Sequence, residues 1–266
     1  MERTRQSDYY APVGSDPVDL IEFASLALIN MANRPERLQE SLAELGAVAG
    51  LEVRAGDDVH LIRPQQFDDA GGFTNPAFRS NLDAHLQAAR WAKETGAARA
   101  LVLEDDVSFG SDWLRHGPRL LTELAGREWH MANIGYLDVW NEAAQAGADS
   151  AAGWVRFTGR VNGAHAYLIN HTGYDRWIEH LEVIATGTPG DDLRGPMSSD
   201  GAMNTFSWVD ADVIRLLAVP NMVGTRPTKS DITPSQVDRL PVIGDAAERL
   251  RAWRRRRYGS TVANYK

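Results

Sequence analysis

The stretch Arg99-Ala100-Leu101-Val102-Leu103-Glu104-Asp105-Asp106-Val107-Ser108-Phe109 decides how the rest of the chain is read. Its apolar run, Ala100 to Leu103, has the length and branched-residue content of a buried strand, and it stops abruptly in three acids. Adjacent carboxylates at the end of a core strand repel one another and resist burial. A cation among them relieves both effects, and a divalent ion held by oxygen ligands is the usual one. Along an extended chain Glu104 and Asp106 point to one side and Asp105 to the other. The spacing predicts a Glu-x-Asp grip on one metal ion. The plainer alternative is a solvated loop with a helix-capping acid.

On the N-terminal side, Ser25 to Met31 reads as a buried first strand. Asn33 as N-cap, Pro35 and Glu36 in the first turn, and Leu38, Leu42 and Leu45 at helical spacing predict a helix that Gly46 closes in the left-handed conformation. Leu51 to Arg54 reads as a second strand ending at Gly56-Asp57-Asp58, and residues 57 to 74 as an irregular loop. Asn75-Pro76 starts a helix to about Thr95, with Phe78, Leu82, Leu86 and Ala89 on one face, His85 at its flank and Gly96 as its stop.

On the C-terminal side, a helix over Asp112 to Leu124 precedes a strand over Met131 to Ile134. Tyr136 to Gly163 suits a loop or hairpin holding a strand at Trp154 to Thr158. Ala164 to Asn170 reads as a strand, with His165, Tyr167 and Ile169 on one face. A helix from Thr172 to about Ile184, a short helix capped at Ser199-Asp200 and a strand over Val213 to Val219 follow. This alternation implies an α/β fold with a mainly parallel central sheet and helices on both faces. Ligands in such sheets lie beyond the carboxyl ends of the strands, where Asn30, Asp57 and Glu104 to Asp106 are all expected. Residues 1–19 read as a flexible arm rather than a signal peptide, 20–243 as a single domain, and 244–266 as an arginine-rich C-terminal helix and tail.

Bulk composition narrows the function classes. The chain has 266 residues, 43% of them hydrophobic and 24% charged, enough for a sizeable core. Net charge of -8 argues against a general nucleic-acid binder. The absence of cysteine removes disulfides, thiolate nucleophiles and cysteine-ligated zinc, and fits a reducing, cytoplasmic setting. No stretch approaches the ~20 apolar residues of a membrane span. The arginine-rich tail is either a solvated helix or a peripheral contact with the inner face of an anionic membrane.

From Leu26 to Ile232 the chain resembles glycosyltransferase family 25, the lipopolysaccharide-biosynthesis and collagen galactosyltransferase group. Leu28-Ile29-Asn30 with Arg34, Arg37 and Leu38 resembles the family's opening Ile-Asn-Leu and Arg-x-x-Arg helix start. Ala55-Gly56-Asp57 is similar to its acidic turn, and Ala84-His85-Leu86 to its Ser-His segment. Leu101-Val102-Leu103-Glu104-Asp105-Asp106-Val107 is the most specific match. Gly163 to Ile169 resembles the Gly-x-x-Ala-Tyr strand, and Pro220 through Ser230-Asp231-Ile232 the closing Pro…Ser-Asp-Ile segment. The family's Cys is missing, Ala84 replaces its Ser, and its Pro-x-Asp becomes Pro196-Met197-Ser198-Ser199-Asp200, which describes an outlying member.

The resemblance implies a GT-A-like fold and an inverting, metal-dependent transfer of galactose or a relative from a UDP-sugar. The acceptor is a saccharide, lipid-linked or other hydroxyl. Glu104 and Asp106 are the expected ligands of Mn²⁺ or Mg²⁺, ions that suit carboxylate oxygens. Asp200 is the expected base, with a helix N-cap as its other reading. Donor contacts are expected from Asn30, Arg34, Arg37, Asp57, Asp105, His165, Ser230 and Asp231. Each has a structural alternative: a solvated helix end for the arginines, a turn for Asn30, Asp57 and Ser230-Asp231, a packed core residue for His165. His85 is expected to hydrogen-bond between helix and sheet. Two further functions stay open, a Mg²⁺-dependent nucleotidyl- or phosphoryl-transfer enzyme and a non-catalytic nucleotide-sugar binder. The first is weakened because no Gly-x₄-Gly-Lys-Ser/Thr phosphate loop occurs.

Overall fold

The computed structural model describes residues 19–140 and 152–226. The expected N-terminal arm up to residue 18, the pair Ser230 and Asp231, and the arginine-rich tail lie outside the described residues. In chain order the elements are α1 (Leu20–Phe23), β1 (Ser25–Ile29), α2 (Pro35–Ala49), β2 (Val59–Ile62), α3 (Pro76–Glu94), β3 (Arg99–Glu104), β4 (Val107–Phe109) and α4 (Ser111–Ala125). There follow β5 (Met131–Gly135), β6 (Asp138–Trp140), β7 (Gly153–Arg156), β8 (Arg160–Asn162) and β9 (Ala166–Asn170). The described chain ends with α5 (Tyr174–Thr186), α6 (Ser199–Val209), β10 (Arg215–Val219) and β11 (Val223–Thr225).

The main sheet runs β2-β1-β3-β9-β5-β10-β7, with β4 and β11 paired at one end of it, and β6 pairs with β8 separately. Strands β1, β2, β3, β5 and β10 share one direction; β9 and β7 oppose them. The sheet is thus mostly parallel, as its strand–helix alternation implies. Side-chain alternation divides the core in two. Ala27, Val102, Tyr167 and Ile169 pack under α3, α5 and α6, while Leu28, Leu101, Leu103 and Leu168 pack under α1, α2 and α4. Each buried leucine on either face contributes roughly 1.5–3 kcal/mol relative to exposure.

Local signals explain several elements. Pro35 and Pro76 sit at helix starts, and the Asn75 side chain accepts from the Phe78 N–H at 3.0 Å, satisfying a donor that the first turn leaves open. Other boundaries differ from expectation. Arg34, not Asn33, holds the cap position of α2. The helix passes through Gly46 and ends at Gly50, whose φ is 68°. Gly46 is needed for another reason, because a Cβ there would meet the Leu51 carbonyl oxygen at 2.8 Å where the chain doubles back.

The second strand is the larger correction. Leu51 to Arg54 is not a strand, and β2 is Val59–Ile62, which pairs in parallel with Leu26 to Ile29. Two short apolar runs compete here, and the one that finds a sheet edge becomes the strand. The other sequence-order surprise is β9, which lies antiparallel between β3 and β5.

Candidate active site

The carboxyl ends of β2, β1 and β3 lie side by side, since Ile29 pairs with both Ile62 and Glu104. Because β9 is antiparallel to β3, it enters at this same edge, and the Glu104 N–H donates to the His165 carbonyl at 2.9 Å. Helix α3 begins here too, after the loop leaving β2. The edge therefore gathers Arg63, Asn30, the acid turn, His165 and the start of α6. Asp57 is absent from it. It precedes β2, so the parallel register carries it to the opposite edge, beside Ser25, His60 and Trp91 in a cleft of about 360 Å³. Its expected place followed from the wrong strand.

The three acids meet different fates. Asp105 and Asp106 form a turn between β3 and β4, so strand alternation does not govern them. Asp105 is 7% exposed, and both of its oxygens are taken. Asn30 Nδ2 donates to one at 2.6 Å and Arg37 Nη1 to the other at 3.1 Å. The Asp105 carbonyl accepts from Ser41 Oγ at 2.9 Å and from Arg226 Nη2 at 2.6 Å. Asp105, Asn30 and Arg37 thus tie α2 to the strand ends, a structural use of three residues expected to touch a donor. The Asn30 Nδ2 group also donates to the Arg34 carbonyl at 3.1 Å.

Glu104 carries a side chain that is 25% exposed. Its Oε1 accepts from Asn81 Nδ2 at 3.1 Å and faces His85 Nε2 at 3.4 Å. Burial alone would raise its pKa, but His85 and Asn81 outweigh that and hold it below the ordinary value. For Asp106 the balance goes the other way, despite the nearby Arg37 and Arg226. Its Oδ1 is buried without a hydrogen-bond partner among the described residues. Burial first, then the charges of Glu104 and Asp105, push its pKa up to about 7. A buried carboxylate oxygen with no donor, next to a second carboxylate, fits a cation. Among the described residues no group of three or more His, Asp and Glu is arranged to hold a metal, so water and phosphate oxygens would complete the coordination, as Mg²⁺ commonly requires.

His165 is buried, and its Nε2 donates to the Val223 carbonyl at 2.9 Å, which joins the residue before β9 to β11. Its pKa is lowered, chiefly by burial. Two glycines make its slot: a Cβ at Gly135 would lie 2.7 Å from Nε2, and one at Gly163, where φ is 93°, would lie 3.0 Å from Nδ1. Asp200 sits in the first turn of α6, but Ser198 is the cap residue, its Oγ accepting from the Gly201 N–H at 3.3 Å. Asp200 Oδ1 bonds with Ser198 Oγ and accepts from the Gly201 N–H at 3.0 Å. Its Oδ2 accepts from the Gly163 N–H at 3.3 Å, which brings the carboxylate to the turn just before His165. A carboxylate oxygen with one long bond keeps lone-pair capacity for a further proton.

Arg63 is the residue that sequence reasoning missed. It follows β2, is exposed, and donates through Nη1 to the Asn30 carbonyl at 3.1 Å and to Asn30 Oδ1. The available signal was an arginine directly after a short apolar run. Arg226 was missed as well; it is buried, with its N–H on the Asp106 carbonyl at 2.6 Å and its Nε 3.4 Å from Glu40.

No protein-family model matches the chain, and no curated protein matches it. Among solved structures the chain is similar to the galactosyltransferase LgtC in complex with donor and acceptor sugar analogs, at 13% identity over 71% of this chain and 72% of that one, with a TM-score of 0.40. It is similar to an active-site mutant of LgtC at 14% identity over 83% of this chain and 95% of that one, with a TM-score of 0.38. It is also similar to a mannose-1-phosphate geranyltransferase from Thermus thermophilus at 15% identity over 73% of each chain, with a TM-score of 0.32.

Proposed function

We propose that the chain is a divalent-metal-dependent glycosyltransferase of GT-A type, akin to glycosyltransferase family 25, moving galactose or a related sugar from a UDP-sugar to a hydroxyl acceptor with inversion. The observation that carries this reading is the buried Asp106 Oδ1, unpartnered among the described residues, beside Glu104 at the carboxyl end of β3. Glu104 and Asp106 would hold Mn²⁺ or Mg²⁺. When bound, the ion supplies charge stabilisation for a leaving diphosphate.

The remaining chemistry belongs to the chain. Asp200 takes the proton of the acceptor hydroxyl while that oxygen bonds to the anomeric carbon and the bond from that carbon to the diphosphate breaks. One displacement inverts the centre. Arg63, exposed and cationic at the end of β2, is assigned to the anionic or acceptor-rich part of the nucleotide. Arg34 is assigned to the same moiety, and Ser230 and Asp231 to donor contacts.

Incubation with a panel of nucleotide sugars, with Mn²⁺ and with EDTA, tests the reading. Metal-dependent UDP release that disappears in Asp106→Asn supports it. Release of pyrophosphate from a nucleoside triphosphate would replace it with nucleotidyl transfer. Binding without release, under every acceptor tried, would leave a binding protein.

A further inference from the structure

A line of buried side chains runs from the aromatic core to Glu104. His85, in the middle of α3, is fully buried, with Nδ1 2.9 Å from Tyr167 Oη and Nε2 3.4 Å from Glu104 Oε1. Tyr167 belongs to β9, and its ring meets Trp177 edge-on at 6.3 Å. Trp177 in turn packs against His180 at 5.8 Å and Phe206 at 5.0 Å. Tyr167 is therefore immobilised by α5 and α6, and His85 by Tyr167.

The tautomer follows from the partners. A neutral imidazole has one N–H and one bare nitrogen. A bare Nε2 would set a lone pair against the Glu104 carboxylate. With the hydrogen on Nε2, the ring donates to Glu104 and its Nδ1 accepts from the Tyr167 hydroxyl, so every contact is a donor meeting an acceptor. Asn81, one turn earlier on the same face of α3, adds a second donor to the same Oε1 at 3.1 Å. Two helix side chains thereby clamp one oxygen of a strand-end carboxylate.

We propose that His85, oriented by Tyr167, is a positioning residue that fixes the Glu104 carboxylate and so presets the Glu104–Asp106 pair for a divalent cation before any nucleotide arrives. This rests on the reading of that pair as metal ligands. Helix–sheet packing alone would need a buried ring at position 85 but no donor toward Glu104. The two roles separate when the ring is kept and its nitrogens are removed.

The test is Mn²⁺ binding to the full chain without nucleotide, read from the electron paramagnetic resonance of free Mn²⁺. Thermal unfolding of each variant is recorded in parallel. His85→Phe is expected to raise the Mn²⁺ Kd by roughly 10–100-fold, the usual effect of removing a residue that orients a metal ligand. His85→Gln, which keeps a donor toward Glu104, is expected to stay within about threefold of the parent, and Tyr167→Phe to fall between the two. A folded His85→Phe with the parental Kd overturns the proposal. Should His85→Phe fail to fold, a His85→Gln protein that folds but loses Mn²⁺ tenfold or more overturns it, and one that retains Mn²⁺ while Tyr167→Phe weakens it supports it. Parental binding that vanishes in Asp106→Asn but survives in His85→Phe sinks the positioning role alone. A parental chain that binds no Mn²⁺ removes the metal reading, and the positioning role with it.

Discussion

The two edges of the central sheet each carry neighbouring acids, yet only one has the physics of a site. At the amino edge Asp57 and Asp58 sit in the turn before β2. Asp57 is exposed, and Asp58 accepts from the Arg54 N–H at 2.8 Å. Beside them His60 and Trp91 stack at 4.6 Å and fill one another's faces. At the carboxyl edge Asp106 lies near two other carboxylates with a buried oxygen that no described residue satisfies. Water and local backbone satisfy the first pair, whereas the second site needs a cation or a proton. Burial without a donor, rather than the number of acids, distinguishes the edges.

Substitutions at the two edges can break this contrast. Asp106→Asn is expected to lower kcat with a nucleotide sugar and Mn²⁺ by about 10³-fold, the loss of several kcal/mol of charge stabilisation, with little change in thermal stability. Asp200→Asn is expected to cost at least about 10²-fold in kcat while donor binding, measured by titration with UDP, stays intact. Asp105→Ala is expected to act on the fold instead, removing the buried acceptor that Asn30 and Arg37 share and lowering stability in urea by about 2 kcal/mol. Asp57→Asn, the control at the amino edge, is expected to leave kcat unchanged and stability within about 0.5 kcal/mol.

A further measurement sharpens the role of the core beneath the site. His180 donates through Nε2 to the Ala202 carbonyl at 2.8 Å, and burial lowers its pKa to about 4 from the ordinary 6.5. Between those values the unfolded chain binds a proton that the folded one does not, so stability falls as pH drops from about 6.5 toward about 4. The expected loss is on the order of 2 kcal/mol, read from urea midpoints at both ends of that window. His180→Gln should reduce it.

The sequence was most legible where a signal was local. An apolar run that ends in acids fixed β3, and Asn75-Pro76 and Pro35 announced two helices. It was least legible where pairing decides. Leu51 to Arg54 and Val59 to Ile62 are both short and partly apolar, and periodicity cannot rank them; only the partner strand β1 can. Choosing the wrong one moved Asp57 to the wrong edge and hid Arg63. Asp105 was set apart from its neighbours but expected at the donor, because its partners, Asn30 and Arg37, lie 75 and 68 residues away. The helix-to-sheet hydrogen bond of His85 was expected, but its partner Tyr167, 82 residues away, was not. Distant partners, not unusual residue types, made the difference.

The antiparallel insertion of β9 has a consequence for how the molecule is made. Glu104 and Asp106 belong to the first half of the chain, whereas Tyr167, Gly163 and Asp200 arrive with the second. Until residues 166–170 dock, β3 lacks its neighbour on one side, and β5 cannot join the sheet through β9. During synthesis the nascent N-terminal half therefore presents an apolar strand with open hydrogen-bonding groups, a template for unwanted association. Strand pairing across so long a sequence separation is slow, so assembly of the acid-bearing edge is expected as a late folding event.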